Sequence, residues 1–299
     1  MSDRHYRGRF APSPTGPLHF GSLLAAVGSF LDARAHDGEW LVRMEDLDPP
    51  REVPGAADDI LHTLEAFGLH WDGEVLYQSH RHAAYQAALE QLEASGATYP
   101  CACTRREIQA HAGLTGSPSI YPGTCREGLP AGRAARSVRL RVPDTDIHFD
   151  DRLQGRCVTA LARQSGDFIL RRADGLYAYQ LAVVVDDAAQ DITDIVRGAD
   201  LLDCTAQQIA LQQVLGYPTP RYLHLPVVVN AQGSKLGKQI RSPKVDTTHA
   251  VTTLCAVLEA LGQSLPEGAG ESTLEDFWSL ATTAWQAERI PPTRTVPER

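Results

Sequence analysis

An α/β fold is predicted, with a parallel sheet that one insertion interrupts and a short helical region that follows. Three observations predict it. Strand and helix patterns alternate from the first residues to about Leu215, the pattern that parallel crossover units produce. A proline- and glycine-rich turn, Pro12-Ser13-Pro14-Thr15-Gly16-Pro17, joins the first strand to the first helix. Far downstream, two lysines flank a glycine in Gly233-Ser234-Lys235-Leu236-Gly237-Lys238-Gln239.

Arg7 to Ala11 reads as the first strand. After the turn, Leu23, Leu24, Val27, Phe30 and Leu31 recur at helical spacing up to Arg34, as on the apolar face of a helix. Trp40 to Met44 reads as a strand, and Asp58 to Phe67 and His82 to Ala94 as helices. An insertion follows from about Tyr99 to Leu161. Within it, Ser137-Val138-Arg139-Leu140-Arg141-Val142 alternates like a strand with arginines on one side, either touching phosphate or guarding a solvated edge. Arg105, Arg106, Arg126, Arg133 and Arg136 would extend that basic face. Leu201 to Leu215 reads as a helix capped by Asp200. Two short helices, Thr248 to Leu261 and Leu274 to Trp285, close the chain, with a linker at Pro266 to Gly270 and a frayed end at Pro291 to Arg299. The expected divisions are 1–98 and 162–244 for the two halves of a nucleotide-binding catalytic domain, 99–161 for the insert and 245–299 for the helical end.

The chemistry gathers at the two signature segments. A helix that starts at the carboxyl end of a parallel strand presents unpaired N–H groups to an anion. His19 can donate a ring hydrogen to a phosphate oxygen, and Gly21 and Ser22 let a nucleotide approach the backbone. Lys235 and Lys238 would close over a triphosphate and stabilise the charge that builds on departing pyrophosphate. The second segment is too short for a Walker loop and has Gln239 where Ser or Thr would bind magnesium.

On these residues the sequence resembles the class I aminoacyl-tRNA synthetases, in particular their glutamyl branch, from about Arg7 to Lys244. His19-Phe20-Gly21-Ser22 stands where the family has His-Ile-Gly-His, and Lys235-Leu236-Gly237-Lys238-Gln239 where it has Lys-Met-Ser-Lys-Ser. Ser22 replaces the second histidine and Gly237 replaces a serine. Three further blocks match: Arg7-Gly8-Arg9-Phe10-Ala11-Pro12-Ser13; Arg43-Met44-Glu45-Asp46-Leu47-Asp48 with Arg51; and Tyr179 to Asp187 followed by Ile192 to Asp200. The resemblance implies a Rossmann-like catalytic domain with an acceptor-type insert, ATP with magnesium, and His19, Lys235 and Lys238 as the catalytic groups.

A glutamate pocket needs a receptor for the side-chain carboxylate and one for the ammonium. Arg9 and Arg197 suit the first, because a guanidinium can hold a carboxylate through two parallel bonds. Glu45 suits the second, with the Ala11 backbone, the Ser13 hydroxyl and the Tyr179 phenol as polar contacts. Asp186 and Asp187 read as pocket or capping residues without a catalytic role. Residues 239–299 leave no room for the large helical anticodon reader of full-length glutamyl enzymes. The resemblance therefore narrows to short members of the branch. It implies that L-glutamate is activated without tRNA and then esterified to queuosine in the anticodon stem-loop of tRNA(Asp). Two alternatives stay open: a short enzyme that charges a tRNA 3′ end, and a noncatalytic RNA-binding paralogue.

Cys101, Cys103 and Cys125 lie in a segment rich in Gly, Pro and Ser. Three thiolates and a fourth ligand would make a closed, structural zinc site that orders a loop too polar to build its own core; three reduced, metal-free cysteines are the other reading. The resemblance points to Tyr121 as the fourth ligand, whereas ligand chemistry alone favours His111. Cys157, Cys204 and Cys255 read as reduced, packed thiols.

With 299 residues, 43% of them hydrophobic, the chain can bury a sizeable core. It has no uninterrupted apolar run of about 18 residues and no leader-like start, so a cytoplasmic monomer without membrane contact is expected. Lys and Arg number 28 against 37 Asp and Glu, a formal charge of -9, which argues against broad, nonspecific RNA binding.

Overall fold

The computed structural model describes residues 5–115, 120–230, 232, 243–264 and 267–297. Strand β1 (Arg7–Phe10) leads through the proline turn into α1 (Phe20–Arg34), followed by β2 (Glu39–Met44), α2 (Ala56–Ala66), β3 (Leu76–Tyr77) and α3 (His82–Ala94). Next come β4 (Thr98–Cys101), α4 (Arg105–Thr115), β5 (Ser137–Leu140), β6 (Ile147–Asp151), β7 (Gly155–Thr159), α5 (Leu161–Gln164) and β8 (Ile169–Arg171). The chain continues as α6 (Tyr179–Ala189), β9 (Asp194–Gly198), α7 (Leu202–Leu215), β10 (Arg221–Leu225) and β11 (Val227–Val229). It closes with α8 (Ala250–Ala260), α9 (Leu274–Ala284) and β12 (Thr295–Pro297).

β1, β2 and β3 form one parallel sheet, and β9, β10 and β6 form another, with β7 added antiparallel at its edge. The two meet where Thr193 donates its N–H to the Arg7 carbonyl at 2.9 Å and its hydroxyl accepts from the Arg7 N–H at 2.8 Å. Chain order reverses at this seam between β1 and β9, the place where open parallel sheets bind ligands.

Two cores flank the sheets. In the first, Leu23, Val27 and Leu31 of α1 pack with Trp40 and Val42 of β2 and with Leu254 and Phe277 of the last two helices. Trp278 donates its indole N–H to the Phe67 carbonyl at 2.9 Å. In the second, α3, α6 and α7 bury Leu89, Val184 and Ile209. The C-terminal helices thus share a core with α1 and β2.

Four features differ from the sequence expectations. β6 and β7, inside the expected insert, join the sheet of β9 and β10, while β8, beyond it, completes the β4-β5-β8 antiparallel sheet. The arginine strand β5 is the middle strand of that sheet and not an edge, because both neighbours need its backbone groups. The expected frayed end pairs as β12 with β11, in register from Val227 opposite Thr295 to Val229 opposite Pro297. Asp200 does not occupy the cap position of α7: it lies in a 3-10 turn, Ala199–Leu201, and Leu201 stands at the cap position without a side-chain bond.

Candidate active site and thiol cluster

A cleft of about 430 Å³ opens at the seam between β1 and β9. It brings together Arg9, Ala11, Ser13, His19, Gly21, Ser22, Glu45, Tyr179 and Arg197, every site residue expected for ATP and glutamate within the described segments. Lys235 and Lys238 lie outside those segments. The turn that shapes the near wall places Gly16 at φ +144°, a conformation glycine adopts without steric cost. His19 is the N-cap of α1: its ring accepts from the Ser22 N–H at 3.3 Å, and Ser22 Oγ lies 2.9 Å from Nε2. The helix therefore begins at the cleft with its ring and its first N–H groups beside one another, where a phosphate would gain from both.

The two expected carboxylate receptors are held in different ways. Arg9, on β1, is buried and donates Nε to Asp187 Oδ1 at 3.1 Å. Asp187 also accepts from Arg43 Nη2 at 2.8 Å, and Arg43 gives Nη1 to Gln190 at 2.7 Å. Burial pushes the Asp187 carboxyl up, but Arg9 and Arg43 outweigh it and hold it below its ordinary range. Arg43 and Asp187 are accordingly part of the architecture behind the cleft, and Arg51 at its rim pairs with Asp48 at 2.7 Å. Asp186 serves neither pocket nor cap; it accepts from Gln78, Tyr85 and Arg81 behind α6.

Arg197, at the end of β9, donates Nε to His224 Nε2 at 3.0 Å and Nη2 to Thr205 Oγ1 at 2.8 Å. Its Nη1 is buried with no hydrogen-bond partner among the described residues. Glu45 repeats this on the opposite charge. Its side chain is 9% exposed, Oε1 has no hydrogen-bond partner among the described residues, and the nearest cation, Arg43, stands at 3.7 Å. Burial pushes the Glu45 carboxyl up to about 7 against the pull of Arg43 and Arg9, with Asp187 and Asp186 adding to the rise. A buried donor and a buried acceptor without partners are costly unless a ligand completes them. Together they suit a molecule that carries a carboxylate and an ammonium.

In the insert, Cys101, Cys103 and Cys125 place their sulfurs within 4.8 Å of one another. Cys103 Sγ lies 3.7 Å from Cys125 Sγ, and the Tyr121 hydroxyl lies 3.5 Å from Cys101 Sγ and 3.8 Å from Cys103 Sγ. Zinc–sulfur bonds of about 2.3 Å in a tetrahedron put sulfurs roughly 3.8 Å apart, so the donor set fits a four-coordinate ion. The Tyr121 oxygen faces the cluster while accepting the Cys125 N–H at 2.8 Å. His111, on the exposed face of α4, is not part of the cluster.

Arg139 is the residue here that sequence reasoning misplaced. It is 4% exposed, lies over the Tyr121 ring at 3.8 Å, and donates to Cys101 Sγ at 3.2 Å and to the Asp167 carbonyl at 2.7 Å. Burial works against the Cys101 thiolate, but hydrogen bonds from Tyr121 and Arg139 bring the thiol down to about 7, which favours the form that binds metal. Of the neighbouring arginines, Arg126 pairs with Asp167 at 3.3 Å and Arg133 with Glu107 at 2.9 Å, whereas Arg105, Arg106 and Arg136 are exposed.

His224, Asp151 and Thr205 were not anticipated. A histidine between two leucines in Leu223-His224-Leu225 was the available signal, since a polar residue inside an apolar strand must find a buried partner.

Residues 5–254 match the family of tRNA synthetases class I (E and Q), catalytic domain. The chain is 58% identical to a glutamyl-Q tRNA(Asp) synthetase of Chromobacterium violaceum, over 97% of each chain, and 52% identical to one of Pseudomonas putida, over 100% of this chain and 97% of that one. In fold it superposes on a glutamate tRNA ligase of Elizabethkingia meningosepticum, solved with its amino acid, with a TM-score of 0.82 at 22% identity, covering 98% of this chain and 67% of that one. The glutamate-tRNA synthetase of Elizabethkingia anophelis gives 0.83 at 23%, covering 99% and 68%. Among the described residues no helix is long and apolar enough to cross a membrane. With the switch-point cleft and the first signature in place, the chain belongs to the class I tRNA synthetases of the E and Q type.

Proposed function

We propose that this protein activates L-glutamate with ATP and passes the glutamyl group to queuosine in the anticodon of tRNA(Asp). The observation that carries the amino-acid half is the pair of unpartnered buried groups at the cleft, Arg197 Nη1 and Glu45 Oε1. Arg197 takes the side-chain carboxylate and Glu45 the α-ammonium, with the Ala11 backbone, Ser13 and Tyr179 on the remaining walls. Arg9 contributes charge to this wall but is largely committed to Asp187. The α-carboxylate then attacks the α-phosphorus of ATP in line and pyrophosphate leaves, so the protein supplies position and charge stabilisation, with no nucleophile of its own. His19 and the start of α1 face the phosphates. Lys235 and Lys238 are assigned to the departing pyrophosphate on the resemblance of their segment alone, and magnesium accompanies ATP.

In the second step a hydroxyl of queuosine attacks the adenylate carbonyl, its proton is released and AMP departs. The RNA half rests on the near full-length likeness to the proteins named above. Cys101, Cys103, Cys125 and Tyr121 would hold one structural zinc ion, which orders the insert and takes no part in activation. The division into a catalytic domain at 1–98 and 162–244, an insert at 99–161 and a helical end at 245–299 is kept as a working description, with the strand exchanges noted above.

The test incubates the protein with ATP and labelled glutamate and compares tRNA(Asp) carrying queuosine with the same tRNA lacking it. Label on the modified RNA alone is the expected result. Label at the 3′ end of both, or no glutamate-dependent pyrophosphate exchange, would overturn the proposal.

A further inference from the structure

Strand β10 places His224 between β9 and β6, fully buried. Its Nε2 faces Arg197 Nε at 3.0 Å and its Nδ1 faces Asp151 Oδ2 at 2.6 Å. An arginine Nε always carries its hydrogen, so His224 Nε2 must accept. The ring proton therefore sits on Nδ1 and is donated to Asp151. Asp151 is itself fixed: it accepts N–H groups from Leu153 at 3.0 Å, Gln154 at 2.8 Å and His224 at 3.1 Å. Thr205 holds the other edge of the guanidinium, accepting Nη2 at 2.8 Å while lying 3.1 Å from the Leu201 carbonyl. Two bonds fix the guanidinium plane, and the remaining nitrogen, Nη1, has no partner among the described residues.

We propose that His224 and Asp151 are a positioning pair that aims Arg197 at the substrate side-chain carboxylate; the proposal rests on the role given to Arg197 above. The histidine acts as a neutral acceptor, so it orients the guanidinium without neutralising it. Asp151 acts at one remove by fixing which ring nitrogen carries the proton. Replacing the carboxylate by an amide of the same shape would present N–H to Nδ1 and drive the ring proton to Nε2, where it would oppose the Arg197 N–H. The tautomer argument parallels that for the aspartate of a serine-protease triad.

The experiment measures glutamate-dependent pyrophosphate exchange and thermal unfolding for Asp151→Asn, His224→Leu, His224→Gln and Arg197→Ala. Asp151→Asn and His224→Leu should raise the glutamate KM about tenfold or more, the range expected when a hydrogen bond to a charged group is lost, with the ATP KM within about twofold. His224→Gln, which can still present an oxygen to Arg197 Nε, should recover part of the loss. Nitrogen NMR of the imidazole should show the Nδ1-protonated ring in the unmodified protein and the other tautomer in Asp151→Asn. If Arg197→Ala raises the glutamate KM but Asp151→Asn and His224→Leu leave it unchanged, the pair does not position Arg197. A parallel fall in every parameter with the folded fraction would make the pair merely structural and also overturn the proposal. Arg197→Ala without effect on the glutamate KM would instead remove the role of Arg197 itself.

Discussion

The two sides of the cleft each present a buried arginine, yet the partners that hold it differ in charge. On the β1–β2 side, Asp187 lies between Arg9 and Arg43 at 3.1 and 2.8 Å; on the β9–β10 side, Arg197 leans on a histidine and a threonine. A carboxylate partner neutralises a guanidinium, so Arg9 and Arg43 are committed to Asp187, although Arg43 Nε has no hydrogen-bond partner among the described residues. A neutral ring satisfies geometry alone and leaves the positive charge for a ligand. Residue type and burial are the same on both sides, and the partner is what differs.

The comparison can be broken most forcefully at Asp187. Asp187→Ala leaves two buried guanidinium groups without their shared acceptor and should lower unfolding stability by about 3–5 kcal/mol, read by urea denaturation; a loss below 1 kcal/mol would show that water or rearrangement replaces it. Arg197→Ala should reverse the pattern. The glutamate KM should rise about a hundredfold, as for a buried charge-assisted contact of about 3 kcal/mol, with less loss of stability than Asp187→Ala and little change in the ATP KM.

A third prediction uses protons. Glu45 must be ionised to receive an ammonium, and burial raises its carboxyl to about 7, so kcat/KM for glutamate should fall about tenfold per pH unit below that value. Glu45→Gln should show a flat, lower profile. For stability the sign is opposite: the raised carboxyl favours the ligand-free fold fully below its unfolded value of 4.5, and that contribution is lost as pH rises through about 7. The smallest effect is expected at Arg141, which stacks over Tyr99 at 4.8 Å and reaches the exposed Glu127 only at 3.9 Å. Arg141→Ala should change stability by less than about 1 kcal/mol. A larger loss would mean that this half-buried arginine is as structural as Arg9.

Much of this was legible in the sequence because it is local. The β1–turn–α1 unit needs only an apolar run, a proline turn and helical spacing, and α3 begins and ends at His82 and Ala94 as expected. Cys101, Cys103 and Cys125 were readable as a cluster for the same reason. What was hidden depends on pairing across long stretches of chain. Nothing near Asp151 announces that β6 will lie beside β10, and nothing near Thr295 announces β11. The alternation around Arg139 correctly gave a strand but could not say that the arginine side faces the thiols. Arg43 carried a readable signal, a charge amid Leu41, Val42 and Met44, although its partner Asp187 lies on α6, far along the chain.

The pairing of β12 with β11 has a practical side. Val227 and Val228 of β11 line the cleft, and β11 leads directly into the stretch that carries Lys235 and Lys238. Clipping by a protease near residue 293, or a bulky tag fused just beyond, would tug on the floor of the cleft from what looks like its least important corner. Preparations that differ only in their last few residues should therefore be compared for activity before they are treated as the same enzyme.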